Sequence, residues 1–296
     1  MALQQEIPGI QVHPAGPLKI RSGEAVLAGT LFVPRGAPRA IVVMNSATGV
    51  PQRYYRAFAT WLAEDKGVAV LTYDYRDFGD SARHPMSVSK ATMTDWGVHD
   101  QQAARDCAAA MFPDLPLWVI GHSLGGFMLP FQRGQGRIAG LITVASGPVH
   151  LDDHPWWYRP AARFLWSRTV RAIATMRGYL PGRALRLGAD VPLGVYRQWR
   201  RWCVTHGGVT VDAGGAVPYP DWTAFDGQAR IVAVADDPMV PPAAVWRLMQ
   251  FYPEARKSQA VLHPASYGLS RIGHIGAFAK PSRAAWPDIV GPVFDT

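Results

Sequence analysis

From residue 40 to residue 145, short apolar runs alternate with segments whose apolar residues recur at helical spacing. The runs at 40–44, 68–73, 117–120 and 138–145 are almost wholly apolar, as expected for strands that are buried on both faces. The resulting order, β-α-β-α-β-α-β, predicts a parallel sheet with helices on both of its faces. The predicted fold class is therefore α/β, with a mostly parallel central sheet.

Signals on either side of this region extend the predicted sheet. Runs at 19–22 and 25–33, which flank Gly23-Glu24, predict a hairpin, and runs at 230–235 and 257–262 predict two further strands. Asp95 is predicted to cap a helix that continues to Met111, and prolines 241 and 242 are predicted to open another helix. Residues 1–16 have no periodicity and are interpreted as an N-terminal arm.

The strand-helix alternation is interrupted between residues 150 and 225. This segment contains ten arginines, no lysine and six of the 11 tryptophans, and prolines divide it into short pieces. We interpret it as a mostly helical cap inserted into the core, which divides the chain into core 1–149, cap 150–225 and core 226–296. Two interpretations of its aromatic residues stay open: they form the cap's own core, or they form an acyl or aromatic pocket with arginines that attract anionic groups.

The sequence Gly121-His122-Ser123-Leu124-Gly125-Gly126 connects the predicted strand at 117–120 to a mostly apolar, helical stretch at 127–131. A G-x-S-x-G sequence between a strand and a helix is typical of a nucleophile elbow, which directs a serine hydroxyl out of the sheet. Such a tight turn leaves no room for a Cβ beside the serine, and glycine has none. Ser123 is therefore the predicted nucleophile. The alternative is a glycine-rich turn in which the serine is incidental.

A serine hydroxyl needs a histidine to accept its proton and a carboxylate to orient that histidine. In the fold that carries this elbow, the acid follows the serine and the histidine follows the acid. This order leaves His263 and His274, and we favour His274 because glycines flank it in a loop, whereas His263 fits a strand end. Asp237 is the predicted acid because it follows a predicted strand and starts the sequence D-P-M-V-P. Asp236 stays the alternative acid.

The tetrahedral intermediate of acyl transfer needs two preorganised hydrogen-bond donors. One is predicted to be the backbone amide of Leu124, directly after the serine, and the other the amide of Ala47, in the loop after the strand at 40–44. Substrate contacts are predicted for Thr48, Trp156, Trp157 and Trp199.

At this point the sequence resembles an α/β-hydrolase from about residue 18 to its end. Within that superfamily it is similar to bacterial predicted α/β-hydrolases related to the serine aminopeptidase and lysophospholipase-like clan. The resemblance implies a triad of Ser123, Asp237 and His274. One departure is Asp77, where this group usually has a glycine. The similar stretches are 46–52 with Tyr54-Tyr55, 73–76 through Gly79 and Ser81, 121–126, 193–195 through 199–203, 236–238 and 273–276.

Composition and the absence of certain motifs argue against several other classes of protein. The net charge is +8, but no nucleic-acid-binding motif accompanies it, so no nucleic-acid partner is expected. No nucleotide-binding or metal-ligand motif is present, so we expect that the protein uses neither a cofactor nor a metal. Cys107 and Cys203 are not in a C-x-x-C and are expected to be reduced thiols. No apolar run is long enough for a membrane span and no signal peptide is recognised, so a cytoplasmic protein without stable membrane insertion is expected.

The predicted function is hydrolysis of a carboxylic ester through an acyl-enzyme on Ser123, with a small-molecule acyl substrate. An esterase or a lysophospholipase-like enzyme fits this chemistry. Amide hydrolysis or acyl transfer by the same triad stays open as an alternative, as does a non-catalytic ligand-binding protein on the same scaffold.

Overall fold

The computed structural model describes residues 14–185 and 188–295. The N-terminal arm predicted at 1–16 therefore lies, apart from residues 14–16, outside the described residues. Within the described part, eight strands form one sheet in the order β1-β2-β4-β3-β5-β6-β9-β10. These strands are β1 Pro14–Ser22, β2 Ala25–Phe32, β3 Ile41–Asn45, β4 Ala69–Tyr73, β5 Leu117–His122, β6 Gly140–Val144, β9 Gln228–Val234 and β10 Arg256–Leu262. Two short strands, β7 Tyr179–Leu180 and β8 Val191–Pro192, pair with each other.

The sheet is parallel except at one edge. The pairs β3·β4, β3·β5, β5·β6, β6·β9 and β9·β10 are parallel, whereas β2 is antiparallel to both β1 and β4. The central strand β5 therefore ends at the same sheet edge as its neighbours β3 and β6. This arrangement confirms the predicted α/β fold and its mostly parallel sheet.

Helices cover both faces of the sheet. The side chains of Ile41 and Val43 join one core cluster, whereas Val42 and Met44 join the cluster on the opposite face. All of β3 is buried because both faces are covered, which is why its sequence has no polar alternation. The helices are α1 Arg56–Lys66, α2 Gln101–Met111, α3 Leu124–Phe127, α4 Arg159–Leu165, α5 Arg168–Arg177, α6 Leu193–Val204, α7 Pro242–Arg247, α8 Gly273–Gly276 and α9 Trp286–Val290.

Two predicted helix boundaries are wrong. The helix that was expected to start at Asp95 begins near 93 and passes through a π-helical stretch, Asp95–Asp100, before α2. Thr92 caps it: the Thr92 hydroxyl accepts the Asp95 amide, and the Asp95 carboxylate accepts the Thr92 amide. The helix after Ser123 is only four residues long. Pro130 has no backbone N–H to donate to a preceding carbonyl, so the α-helix ends before it and the chain continues as the 3-10 turn Leu129–Phe131.

The 150–225 segment contains α4, α5, α6 and the β7–β8 pair, and it lies between β6 and β9 in the chain. We call these residues the cap segment. Trp166, on the short link between α4 and α5, packs against Tyr196 and Trp199 of α6. Some of the aromatic side chains of the cap segment therefore form a core within the segment. The division of the chain at 149 and 226 into core and cap domains stays a prediction.

Candidate active site

Ser123 follows the last residue of β5 and has a backbone conformation that L-residues rarely adopt, with φ 52° and ψ −117°. A Cβ on Gly121 would lie 2.2 Å from the Gly125 carbonyl oxygen, and one on Gly125 would lie 2.3 Å from the Asn45 carbonyl oxygen. Glycine is therefore required at both positions for the turn to close. The Ser146 hydroxyl donates to the Ser123 carbonyl at 2.6 Å and holds the strained residue in place.

The structure brings Ser123, His274 and Asp237 into one hydrogen-bonded chain. The Oγ of Ser123 lies 3.0 Å from Nε2 of His274, and Nδ1 of His274 lies 2.7 Å from Oδ2 of Asp237. His274 and Asp237 are buried, whereas Ser123 is partly accessible. This geometry allows the histidine to accept the serine proton while the carboxylate faces the opposite ring nitrogen.

The two adjacent aspartates have different contacts. Oδ1 of Asp237 accepts the amides of Met239 and Val240 at 2.8 and 3.1 Å, which leaves its Oδ2 for His274. The carboxylate of Asp236 accepts the amides of Ile272 and Gly273 at 3.0 and 2.9 Å. Asp236 therefore anchors the start of the loop that carries His274, and it does not contact the histidine ring.

His263, the alternative base, lies directly after β10, and its side chain is exposed. Within the described part of the chain, its ring forms no hydrogen bond with Ser123 or with Asp237.

A buried hydrogen-bond chain behind the serine was missed by the sequence analysis. The Ala47 amide donates to the Tyr55 hydroxyl at 2.9 Å, and that hydroxyl donates to Nδ1 of His122 at 2.8 Å. The other ring nitrogen of His122 then donates to the His274 carbonyl at 2.8 Å. Burial, followed by the nearby His274, lowers the pKa of His122 from 6.5 to about 3, so its ring is neutral. The histidine between Gly121 and Ser123, on an otherwise apolar strand, was the available signal.

The predicted oxyanion donors have different surroundings. The amide of Leu124 belongs to the first residue of α3, where no earlier helical carbonyl can accept it. The Ala47 amide, in contrast, is occupied by the Tyr55 hydroxyl. The prediction that Ala47 supplies a free donor is therefore wrong for this structure, because a side chain eight positions later accepts its proton. The amide of the next residue, Thr48, has no hydrogen-bond acceptor among the described residues, and Thr48 lines the cavity beside Ser123.

A narrow cavity of about 90 Å³ opens above Ser123, His274 and Leu124. Cap and core residues both contribute to its walls, and among the described lining residues there is no aspartate, glutamate, lysine or arginine. It is therefore suited to an uncharged, apolar group. Its apolar lining comes from Met93, Leu124, Phe127, Pro148, Val149, Ala161, Ala162, Leu165, Trp166, Trp199, Trp202, Val209, Met239 and Val240.

The three tryptophans that were predicted to contact substrate are not equivalent. Trp199 lines the cavity, as Thr48 does, but Trp156 and Trp157 do not. Their side chains are 81% and 56% exposed, because the turn after Pro155 places them on the outer surface of the cap segment. None of the described arginines of the cap segment lines the cavity either, so the interpretation in which they attract an anionic group into this pocket is not supported.

Residues 36–184 match the sequence profile of the family described as serine aminopeptidase, S33. The match covers the elbow, the loop after β3 and the strands between them. The chain belongs to this family of α/β-hydrolases. A search of curated proteins found no significant match to the hydrolase.

Solved structures share the hydrolase's fold at low sequence identity. A soluble variant of monoglyceride lipase from Saccharomyces cerevisiae, in complex with a substrate analog, has a TM-score of 0.66 and 14% identity, covering 94% of each chain. A thermophilic esterase from Thermogutta terrifontis has a TM-score of 0.51 and 19% identity, covering 91% of this chain and 95% of the other. A serine hydrolase without lid from Xanthomonas campestris has a TM-score of 0.53 and 14% identity, covering 95% and 96%.

Cys203 adds a thiol to the walls of the hydrolase's cavity. Burial raises the pKa of its thiol to about 12, which keeps it protonated and unreactive near neutral pH. Neither Cys203 nor Cys107 forms a disulfide. Among the cavity side chains that could attack an acyl carbon, Ser123 is therefore the one with a base in contact.

One group of described residues in the hydrolase has ligand atoms close enough together for a metal ion: His150, Asp152 and His206, all within 4.8 Å of one another. None of the three lines the cavity. The His150 and His206 rings stack with centroids 4.1 Å apart, and Nδ1 of His150 already accepts the Asp152 amide. The expectation that catalysis needs neither a metal nor a cofactor stays a prediction. Within the described residues, none of the helices has the length and hydropathy that a membrane span requires.

Proposed function

We propose that this hydrolase cleaves carboxylic esters with an apolar acyl group, through an acyl-enzyme on Ser123. The observation that carries the proposal is the continuous hydrogen-bonded chain from Ser123 through His274 to Asp237 at the base of an apolar cavity. A serine with a base on one side and an open cavity on the other meets the geometric requirement for nucleophilic catalysis.

The reaction begins with attack of Oγ of Ser123 on the ester carbonyl carbon. His274 accepts the hydroxyl proton at Nε2 and then delivers it to the leaving alkoxide, so that an alcohol departs and the acyl group stays on the serine. Water, deprotonated by the same ring nitrogen, attacks the acyl-enzyme and releases the carboxylic acid. Asp237 stabilises the imidazolium that forms in both steps and fixes the ring by its bond to Nδ1.

The developing oxyanion is held by two backbone amides in this proposal. Leu124 supplies the first, as predicted from its position after the serine. Thr48 supplies the second in place of Ala47, whose amide is engaged by Tyr55. The Tyr55 hydroxyl fixes the backbone immediately before Thr48, which is the kind of preorganisation that oxyanion stabilisation requires.

The cavity supports an apolar acyl group as the specificity element. Its walls carry no charged side chain among the described residues, so a carboxylate or phosphate on the acyl chain would be desolvated without a partner. Trp199 and Trp166, in contact with each other at 5.0 Å between ring centroids, give it a rigid aromatic wall. The similarity in fold to an esterase and a monoglyceride lipase is consistent with this substrate class.

The test is hydrolysis of p-nitrophenyl acetate, butyrate, hexanoate and octanoate by the wild-type protein and by Ser123→Ala. We expect kcat/KM to rise with acyl length until the cavity is filled, and Ser123→Ala to reduce every rate to the background of the uncatalysed reaction. The matching p-nitroanilides separate ester from amide hydrolysis. Rates that are the same for the wild type and Ser123→Ala across all four esters would refute the proposal.

A further inference from the structure

A groove of about 290 Å³ on the cap segment is lined by four arginines. Arg171 comes from α5, and Arg197, Arg200 and Arg201 come from α6. The three on α6 are spaced three and four residues apart, which places them on one face of the helix. None of them lines the cavity above Ser123, whose α6 contacts are Trp199, Trp202 and Cys203 on the helix's other side.

The positive charge of this groove is only partly neutralised. Among the described residues, one carboxylate contacts it: Oδ1 of Asp212 lies 2.7 Å from Nε of Arg201, which itself is 59% exposed. The guanidinium groups of Arg200 and Arg197 donate to neutral acceptors, the Trp166 carbonyl at 2.8 Å and the Thr175 hydroxyl at 3.3 Å. Like charges at this spacing on one helix face are destabilising, so the arrangement has a cost that a bound anion would remove.

The surrounding sequence strengthens this field. From residue 154 to residue 201 the chain has ten arginines and a single acidic residue, Asp190. Arginine is the side chain best suited to phosphate, because its planar group donates two parallel hydrogen bonds to phosphate oxygens. Thr205, also in the groove walls, is a further polar neighbour for such a ligand.

We propose that the groove between α5 and α6 is a binding site for a phosphate group. A soluble phosphate compound and the headgroup of an anionic phospholipid present the same chemistry. The lipid source fits a second feature of the cap segment, since Met176 on α5 and Phe164 on α4 are large apolar side chains that are 79% and 49% exposed. The site is separate from the hydrolytic one and does not depend on the proposed function.

The experiment measures binding, with pyrophosphate as the soluble probe and vesicles of phosphatidylcholine with and without one-fifth phosphatidic acid as the lipid probe. Titration calorimetry at fixed ionic strength follows the first, and vesicle co-sedimentation follows the second. Arg171→Gln/Arg197→Gln removes two charges from the groove. Arg163→Gln/Arg168→Gln removes the same number from exposed positions of α4 and α5 outside it. Thermal unfolding in phosphate-free buffer checks that both double variants fold.

We expect saturable binding of at least one probe by the wild type, weakened about tenfold for each groove arginine lost, which is the factor for one charge-assisted hydrogen bond. The control double variant should bind as the wild type does. Binding of pyrophosphate assigns the site to soluble phosphates, and binding of phosphatidic acid vesicles alone assigns it to lipid headgroups. No saturable binding of either probe, or an equal loss in both double variants, would overturn the proposal, because the effect would then be general electrostatic attraction.

Discussion

The neutral, fully buried His122 makes a specific prediction about stability in acid. Its pKa in the folded protein is lowered from 6.5 to about 3, mainly by burial. Between those two values the unfolded chain binds a proton that the folded chain does not, so the stability present above pH 6.5 is lost as the pH falls toward 3. From about pH 7.5 to about pH 4.5 this one group should remove roughly 3 kcal/mol from the free energy of unfolding.

The variant His122→Gln isolates this effect. At about pH 7.5 we expect it to be less stable than the wild type by roughly 2 kcal/mol, because the Tyr55 hydroxyl and Ala47 amide lose their continuation to a buried acceptor. The variant has no imidazole to protonate, so the difference should close or reverse near pH 4.5. Comparison with a variant is necessary because burial raises the pKa of Asp74 to about 6, which acts in the opposite direction in both proteins.

Urea unfolding followed by tryptophan fluorescence at the two pH values measures both free energies. His263→Gln is the matched control, because it makes the same substitution at an exposed histidine outside the buried chain of hydrogen bonds. If the His122→Gln difference is the same at both pH values, His122 does not remain neutral in the folded protein and the reasoning is refuted.

Three further predictions concern the elbow, the acid and the cavity. Gly125→Ala should lower the free energy of unfolding by about 3 kcal/mol, since its Cβ would meet a backbone carbonyl at 2.3 Å. In the same urea experiment, the control Gly36→Ala, whose Cβ would lie in open space, should change it by less than about 0.5 kcal/mol. Asp237→Asn should reduce kcat by roughly 10⁴-fold through the wrong histidine tautomer. An ordinary kcat in that variant would remove Asp237 from the proposed triad. Trp199→Ala should lower kcat/KM for p-nitrophenyl octanoate by roughly 10- to 100-fold through lost apolar contact, and Trp156→Ala by less than about twofold. Equal losses in both would contradict the assignment of Trp199 to the cavity.

The parts of the fold that follow from local patterns could be predicted from the sequence. Unbroken apolar runs mark strands buried on both faces, and the run at 40–44 became β3 within one residue. The glycines at 121 and 125 indicated a backbone contact that the structure contains. Chain order then selected Asp237 and His274, the two side chains that the structure brings to Ser123.

The details that failed depend on contacts between distant parts of the chain. No local pattern indicates that the Tyr55 hydroxyl would occupy the Ala47 amide, because that contact depends on how α1 approaches the loop after β3. Tryptophans are alike in sequence, yet Trp199 points into the cavity and Trp156 into solvent, since the packing of short cap helices decides the direction. Asp77 has φ 58°, a left-handed backbone conformation that glycine adopts without strain, and no local pattern indicated that an aspartate would adopt it.

Covalent labelling tests most directly whether Ser123 is an activated nucleophile. The wild-type protein is incubated with a fluorophosphonate, which reacts with activated serines, and the adduct is located by peptide mass spectrometry. We expect one adduct per chain, on the peptide that contains Ser123. The adduct should be absent in Ser123→Ala and should form much more slowly in His274→Ala. A folded wild-type protein that forms no adduct, or that is labelled elsewhere while Ser123 stays unmodified, would contradict the claim that this serine is an activated nucleophile.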